Sequence, residues 1–484
     1  MAMPELADRE DAGIALARYA AGLRFEDLPP EVVSKVKVLI LDSFGVAMAG
    51  STAPGIDAAI AAVKGWGDAP QSTLYAHGIK LPAPWAATVN GAMATARDFD
   101  DTLDDGMLHT QPSVLPAVLA IAEAEGGHSG RDLITAVAAG AELLCRMGHA
   151  RRRGQEFLPT GTCAGMAAAA AAARLIQLPF EGVLDACGIA YSQCAANMQP
   201  LIEGATIKRF HAGFAARNGI ISATLARHGL TGAHNWLEGV LGYYNLYEGG
   251  AYEPENLTTE LGERHELMDL SIKPWPSARD THGIVESALA LAEEYDLAVG
   301  QISEIEAFLV PNAFSLSGKP WDEADGHPVV EAIASAAYCT AVALIRREVI
   351  LDDFMEKRIS DPEVGALASR VKVNLFPDFD DPVSLAPQSL ILKLTDGRVL
   401  ERRIDVLKGH PSRPMSDEEI AGKFRHCCSF AARPVSTERA EAIIHAVRNL
   451  EELSEIRELG DLMALWDAEQ EFMDKSVGAM ASDS

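Results

Sequence analysis

A chain of 484 residues with 41 Lys and Arg against 69 Asp and Glu carries a formal charge of −28, and a surface of that sign repels nucleic-acid backbones and anionic lipid head groups. The length exceeds what one hydrophobic core organises, so two domains are expected, and 48% hydrophobic but only 6% aromatic residues suit helices packed through small side chains rather than a β-sandwich. Seven cysteines, an odd number with Cys427 next to Cys428 and no CxxC spacing, argue against a disulfide framework or a zinc site, and a reduced, cytoplasmic protein is expected.

At the N-terminus Glu5, Asp8, Glu10 and Asp11 precede any apolar run, unlike a secretory signal. No apolar stretch of about 18 residues free of charges and turn residues marks a membrane span. From Asp11 to about Gly229, long Ala/Leu/Val/Ile segments alternate with short Gly/Pro breaks, the pattern of consecutive packed helices. Pro29-Pro30 opens a helix, EVVSKVKVLILDSFGVAMAG, whose later turns are apolar on both sides and therefore buried. The run AGMAAAAAAARLIQL, Ala164 to Leu178, is a near-ideal helix former that permits close helix contacts.

The character changes near Met268. ISEIEAFLV (302–310) alternates like a strand, and QSLILKLTDGRVLERRIDV holds two β-rich runs around the turn Thr395-Asp396-Gly397-Arg398, a hairpin signal. Between them EAIASAAYCTAVALIRREV reads as one helix, with Tyr338 a core residue. After LKGHPSRPMSDEE the helical pattern resumes to about Met473, and MDKSVGAMASDS reads as a frayed tail. The expected fold is mainly α: an all-helical domain formed by both chain ends (1–268 and 412–484), with an α+β lid domain (269–411) inserted and a substrate cleft between them.

Three segments carry chemistry. Ala96-Arg97-Asp98-Phe99-Asp100-Asp101-Thr102 and then Leu108-His109-Thr110-Gln111-Pro112-Ser113 gather carboxylates, a threonine and an imidazole at the break between two apolar helices. His109 lies just before a helix N-terminus, where anions are favoured, although any single aspartate there reads equally as a cap. Thr206-Ile207-Lys208-Arg209-Phe210-His211-Ala212-Gly213 is a basic patch in an acidic chain, and its plain alternative is a helix end with surface charges. Lys273-Pro274-Trp275-Pro276-Ser277-Ala278-Arg279-Asp280-Thr281-His282 is a loop stiffened by two prolines that presents Lys273, Arg279 and His282, with a domain linker as its alternative. An anionic substrate has to be drawn in by such local cations against the global field. No phosphate loop, GxGxxG, HExxH or GxSxG is present. His149 and His327 have no ligand spacing and read as structural histidines.

In this order the segments resemble the MmgE/PrpD family: Leu41-Asp42-Ser43-Phe44-Gly45 to Ala49-Gly50; Asn90-Gly91 leading to Asp98-Phe99-Asp100-Asp101-Thr102; Gly161 with its alanine helix; Lys208 with His211; Lys273-Pro274 to His282; and Lys408-Gly409-His410-Pro411 to Lys423-Phe424. The resemblance implies a homodimer with no metal or other cofactor. It also implies a dehydratase-like lyase that takes a proton from beside a carboxylate of a small di- or tricarboxylate. In decarboxylase-like members the pocket groups match Asp98, Thr102, His109, Lys208 and Lys273. On this reading His109 is the acid/base, Asp98 orients it or shares its proton, and Thr102 hydrogen-bonds the substrate. Lys208, Lys273 and Arg279 meet the developing enediolate charge, and His282 is a second acid/base. The chain departs from the family pattern at Leu158 and Ala278, where members carry histidines. The standard methylcitrate or aconitate substrate is therefore not carried over, and an epimerase or a non-catalytic carboxylate-binding protein stay open as alternatives.

Overall fold

The computed structural model describes residues 10–152, 157–321, 328–376, 379, 381 and 383–466. His327 and the expected C-terminal tail lie outside the described residues. Among the described residues the architecture is mainly α, with three small sheets.

Helix Pro30–Gly50 starts where Pro30 occupies its first turn, a position that needs no amide hydrogen. From Leu39 to Gly50 every residue is buried, as its two-sided apolar pattern requires. It crosses helix Ala83–Thr95 at Gly50, where a Cβ would come within 1.9 Å of the Met93 carbonyl oxygen. Helix Ala83–Thr95 in turn lies against helix Phe210–Arg227, and the alanine helix Ala164–Leu175 packs on the other side of Phe210–Arg227, with Ala168 meeting Gly219.

Two helices differ from the sequence expectation. The alanine helix stops at Leu175 because Gln177 takes a left-handed conformation (φ 57°) and the Leu178 amide reaches back to the Ala173 carbonyl, closing the end. The segment expected as one helix between Glu331 and Val349 is two, Pro328–Ile333 and Ala336–Arg346. Ser335 leaves helical geometry and its hydroxyl accepts from the Tyr338 amide at 3.1 Å, so it caps the second helix.

Strands β1 (Ser72–Leu74) and β2 (Ile79–Leu81) form a hairpin, and β3 (Thr102–Leu103) pairs antiparallel with β4 (Leu270–Ser271). The four-stranded sheet of β5 (Ile302–Leu309), β6 (Val371–Leu375), β7 (Gln388–Leu394) and β8 (Val399–Ile404) runs β6-β5-β7-β8. In it β5 and β6 are parallel and the other pairs antiparallel. The strand at Ile302 and the hairpin turning at Gly397 (φ 91°) stand where the sequence puts them.

Two large hydrophobic clusters hold the chain together. The larger draws on residues from Ala12 to Ile272 and again from Ile420 to Leu465, so both chain ends share it. The second runs from Ile284 to Leu400 and packs helices His282–Glu294 and Ala336–Arg346 against each other and against the four-stranded sheet. Tyr338 is fully buried in it. Among the described residues no helix is long and apolar enough to cross a membrane.

The close crossing of Phe210–Arg227 over Ala83–Thr95 depends on Gly213, where a Cβ would sit 2.0 Å from the Thr88 carbonyl oxygen. Gly213→Ala is expected to cost about 1–3 kcal/mol by forcing the two helices apart. Gly422→Ala, at an exposed helical position with open space around it, gains a few tenths to about 1 kcal/mol. Thermal unfolding of both variants checks this, and equal shifts would contradict the contact.

Candidate active site

After helix Ala83–Thr95 the chain turns at Asp98, a non-glycine residue in the left-handed region (φ 52°). Such a conformation persists only where its surroundings over-determine it. Four residues later β3 pairs with β4 in the register Thr102↔Ser271, and two residues beyond Ser271 the chain reaches Lys273. This short ladder lays Lys273 under Asp98: its Nζ is 3.0 Å from Asp98 Oδ2 and 2.8 Å from the Asp98 carbonyl oxygen. Lys208, in the single turn Thr206–Arg209 that leads into helix Phe210–Arg227, approaches Asp98 Oδ1 from another side at 3.8 Å.

His109 completes the group. Its backbone amide donates to Thr160 Oγ1 at 3.1 Å, and its Nδ1 lies 2.7 Å from the Asp101 carbonyl oxygen and 3.2 Å from Asp100 Oδ2. A carbonyl oxygen only accepts, so this contact assigns the hydrogen to Nδ1 and leaves Nε2 free to take or give a proton. Asp101 turns its buried carboxylate to the Thr110 and Gln111 amides, both at 3.1 Å, and so caps helix Gln111–Glu125. Asp100 is fully buried, and the His109 ring is the polar group closest to its carboxylate in these contacts. The carboxylate beside the imidazole is therefore Asp100. Asp98, expected to orient His109, instead pairs with the two lysines.

Exposure separates the roles. The side chains of Lys208, Asp98 and His109 are 26%, 20% and 19% exposed, whereas that of Lys273 is 2% exposed. Three groups thus share an opening and one lies beneath it. Burial alone would raise the Asp98 pKa, but Lys273, Lys208 and His109 outweigh it and hold the carboxyl well below the usual range. Asp98 stays ionised. Asp98, Asp100 and His109 do present ligand atoms within 4.8 Å of one another. Two ammonium groups already occupy the Asp98 carboxylate, however, and a divalent cation would have to displace them.

The other sequence candidates stand further back. Thr102 is buried in β3. The donors of Arg279 go to Asp104 Oδ1 and Oδ2 at 3.0 and 2.9 Å and to the Lys408 carbonyl at 2.7 Å. His282 has no exposed surface, and its Nε2 lies 3.3 Å from the Ser277 carbonyl. Burial, with Arg279 and Lys273 nearby, holds its pKa well below the ordinary value, so its ring is neutral. Arg279 and His282 thus do not reach the opening. His211, one turn beyond Lys208, is also buried, which together with Lys208 lowers its pKa. His149 sits in an ion-pair group with Glu266 and Asp269, at 3.5 and 3.4 Å, whose oxygens Arg264 also contacts.

Lys423, named from the sequence only within a family segment and given no role there, is buried behind the site. It donates to the carbonyls of Phe99 and Lys273 and pairs with Asp42. The signal was present: Ile420, Lys423, Phe424 and Cys427 share one buried helix face, so Lys423 is a charge inside an apolar stripe. Asp42 breaks an apolar run in the same way.

Over most of its length the chain is similar to known proteins. The MmgE/PrpD N-terminal domain matches residues 14–255 and the MmgE/PrpD C-terminal domain residues 275–452. Cis-aconitate decarboxylase of Homo sapiens is 29% identical over 458 residues, 91% of this chain and 92% of that protein. Cis-aconitate decarboxylase of Aspergillus terreus is 28% identical over 474 residues, 93% of this chain and 95% of that one. A cis-aconitate decarboxylase-like protein of Aspergillus oryzae is 28% identical over 465 residues, covering 92% and 95%.

Removing one partner of a buried ion pair strands the other charge. Asp98→Asn is therefore expected to cost about 3 kcal/mol at neutral pH, because it leaves the Lys273 ammonium unmatched. The Asp98 pKa is depressed on folding, so its stabilisation is fully present above the ordinary value of 3.8 and fades as the pH falls below it. The gap between wild type and variant narrows on acidification. Melting temperatures of both proteins at neutral pH and near pH 2 check this, and a constant gap would contradict an ionised, lysine-paired Asp98.

Proposed function

This chain belongs to the MmgE/PrpD family, and from that premise we propose that it is a cofactor-independent lyase acting on a small di- or tricarboxylate by moving a proton beside one of its carboxylates. The observation that carries the reading is the convergence of Lys208, Lys273 and the His109 imidazole on one partly exposed opening of a protein whose formal charge is −28. Lys208 holds Asp98 loosely at 3.8 Å, against 3.0 Å for Lys273. Lys208 is thus the ammonium that a substrate carboxylate engages, while Lys273 keeps the opening positive from below.

A hydrogen on carbon beside a carboxylate is a weak acid. Its removal pushes an electron pair into the carboxylate, and the resulting enediolate carries charge that nearby cations must meet. In this reading His109 Nε2 takes the proton, with Nδ1–H held by the Asp101 carbonyl. Lys208 and Lys273 stabilise the enediolate. Arg279 contributes charge rather than a direct hydrogen bond, since its donors are committed to Asp104 and the Lys408 carbonyl. The full burial of His282 gives it no path to solvent, so the acid/base assignment rests on His109. Expulsion of a β-hydroxyl as water, with the proton held on His109 passed to the leaving oxygen, completes a dehydration. The curated relatives are named for decarboxylation, another lyase reaction, in which loss of carbon dioxide leaves a similar carbanion for the acid to protonate. A homodimer in a reduced, cytoplasmic setting accompanies the proposal.

Epimerisation is the second reading, and Leu158 and Ala278 favour it. Without imidazoles there to protonate a leaving hydroxyl, returning the proton to carbon is the simpler outcome.

The test is incubation in deuterated water with hydroxy- and amino-dicarboxylates and with tricarboxylates including cis-aconitate. A dehydratase releases an alkene, and a decarboxylase releases carbon dioxide and takes a deuteron onto the carbon that lost it. Deuterium in recovered substrate with neither product would replace the lyase by the epimerase. A panel in which compounds raise the melting temperature but none turns over would support a binding protein instead. With a substrate in hand, His109→Ala is expected to lower turnover by about 10²–10⁴-fold, and unchanged turnover would remove His109 from the mechanism.

A further inference from the structure

The ammonium of Lys423 is buried, its side chain 4% exposed, and it has two hydrogen-bond acceptors and one counter-charge. These are the Phe99 carbonyl oxygen at 2.8 Å, the Lys273 carbonyl oxygen at 2.9 Å and Asp42 Oδ1 at 2.6 Å. The Phe99 ring also faces Nζ, with its centroid 3.8 Å away. The two carbonyls belong to the two backbone segments that build the candidate site. Phe99 follows Asp98 directly, at the left-handed turn, and Lys273 is the residue whose side chain pairs with Asp98. The helix that delivers Lys423, Asp417–Cys428, packs on helix Pro30–Gly50, which supplies Asp42.

We infer that Lys423, charge-balanced by Asp42, is a positioning residue for the candidate site: it ties the Phe99 and Lys273 backbones together so that Asp98 and Lys273 face each other, without itself touching substrate. Stability alone does not explain the pair. A buried ion pair is commonly replaced by apolar side chains at little or no cost, but apolar side chains cannot donate to two carbonyls. What such a replacement removes is the link between the segments. The inference rests on the functional reading for its kinetic readout and is independent of it for its structural one.

Two variants separate the charge balance from the link. Asp42→Ala/Lys423→Met removes both charges and the donor; Asp42→Asn removes the counter-charge and keeps the donor. Thermal unfolding, hydrogen–deuterium exchange of peptides spanning 97–102 and 271–274, and turnover of a compound found with the panel above are measured on each. The double variant is expected to melt near wild type, to exchange faster at those two segments, and to lose about 10²-fold in kcat, the scale of a 1 Å misplacement, with KM changed far less. Asp42→Asn is expected to melt lower while keeping exchange protection at both segments and most of kcat. Wild-type exchange and turnover in the double variant would overturn the inference. Should the double variant not fold, loss of protection at both segments in Asp42→Asn would overturn it as well, and retained protection would support it. A wild-type protein that turns over nothing in the panel defeats the functional reading, and exchange alone then decides the positioning role.

Discussion

Burying a lysine ammonium is the constraint around which the candidate site is arranged. Lys273 is almost wholly removed from water, and an ion so placed has to find a counter-charge and hydrogen-bond acceptors or neutralise. Asp98 supplies both a carboxylate and a carbonyl to one nitrogen, and it does so from a left-handed backbone conformation that non-glycine residues seldom adopt. Lys423 repeats the arrangement one layer deeper. Two buried cations thus hold the polypeptide between residues 98 and 102 against the one between 270 and 273.

The charge pattern has a chemical consequence. A strongly acidic protein discourages anions everywhere except where its few cations concentrate. Here they concentrate around an opening in which Asp98 remains ionised and Lys208 is only loosely engaged. On the proposed reading, a substrate carboxylate takes the place of Asp98 at Lys208 with little rearrangement. The backbone contact that occupies Nδ1 of His109 fixes a hydrogen there and leaves Nε2 for proton transfer. Preorganised charge of this kind stabilises an enediolate without a reorganisation cost at the moment of reaction.

The scaffold contributes precision through small residues. Gly50, Gly91 and Gly213 let three helices approach until backbone meets backbone, and the alanine run fills the next layer. Close-packed helices transmit little slack to the turns at their ends, and those turns carry Asp98 and Lys208.

Much of this was legible in the amino-acid sequence alone. The helical character, the strand at Ile302, the hairpin at Gly397, and the segments holding Asp98, His109, Lys208 and Lys273 follow from periodicity, turn residues and unusual charges, which are local properties of the chain. Helix ends at Gln177 and Ser335 were misjudged because a left-handed residue and a serine cap interrupt runs whose composition favours continuing. The tertiary structure alone decided which charges meet. It gave Asp98 to the lysines and Asp100 to His109, committed Arg279 to Asp104, sealed His282 from solvent, and brought in Lys423. The physical reason is distance along the chain. Lys273 reaches Asp98 across 175 residues and Lys423 reaches Phe99 across 324, and the desolvation that makes those pairings obligatory exists only once the helices have packed.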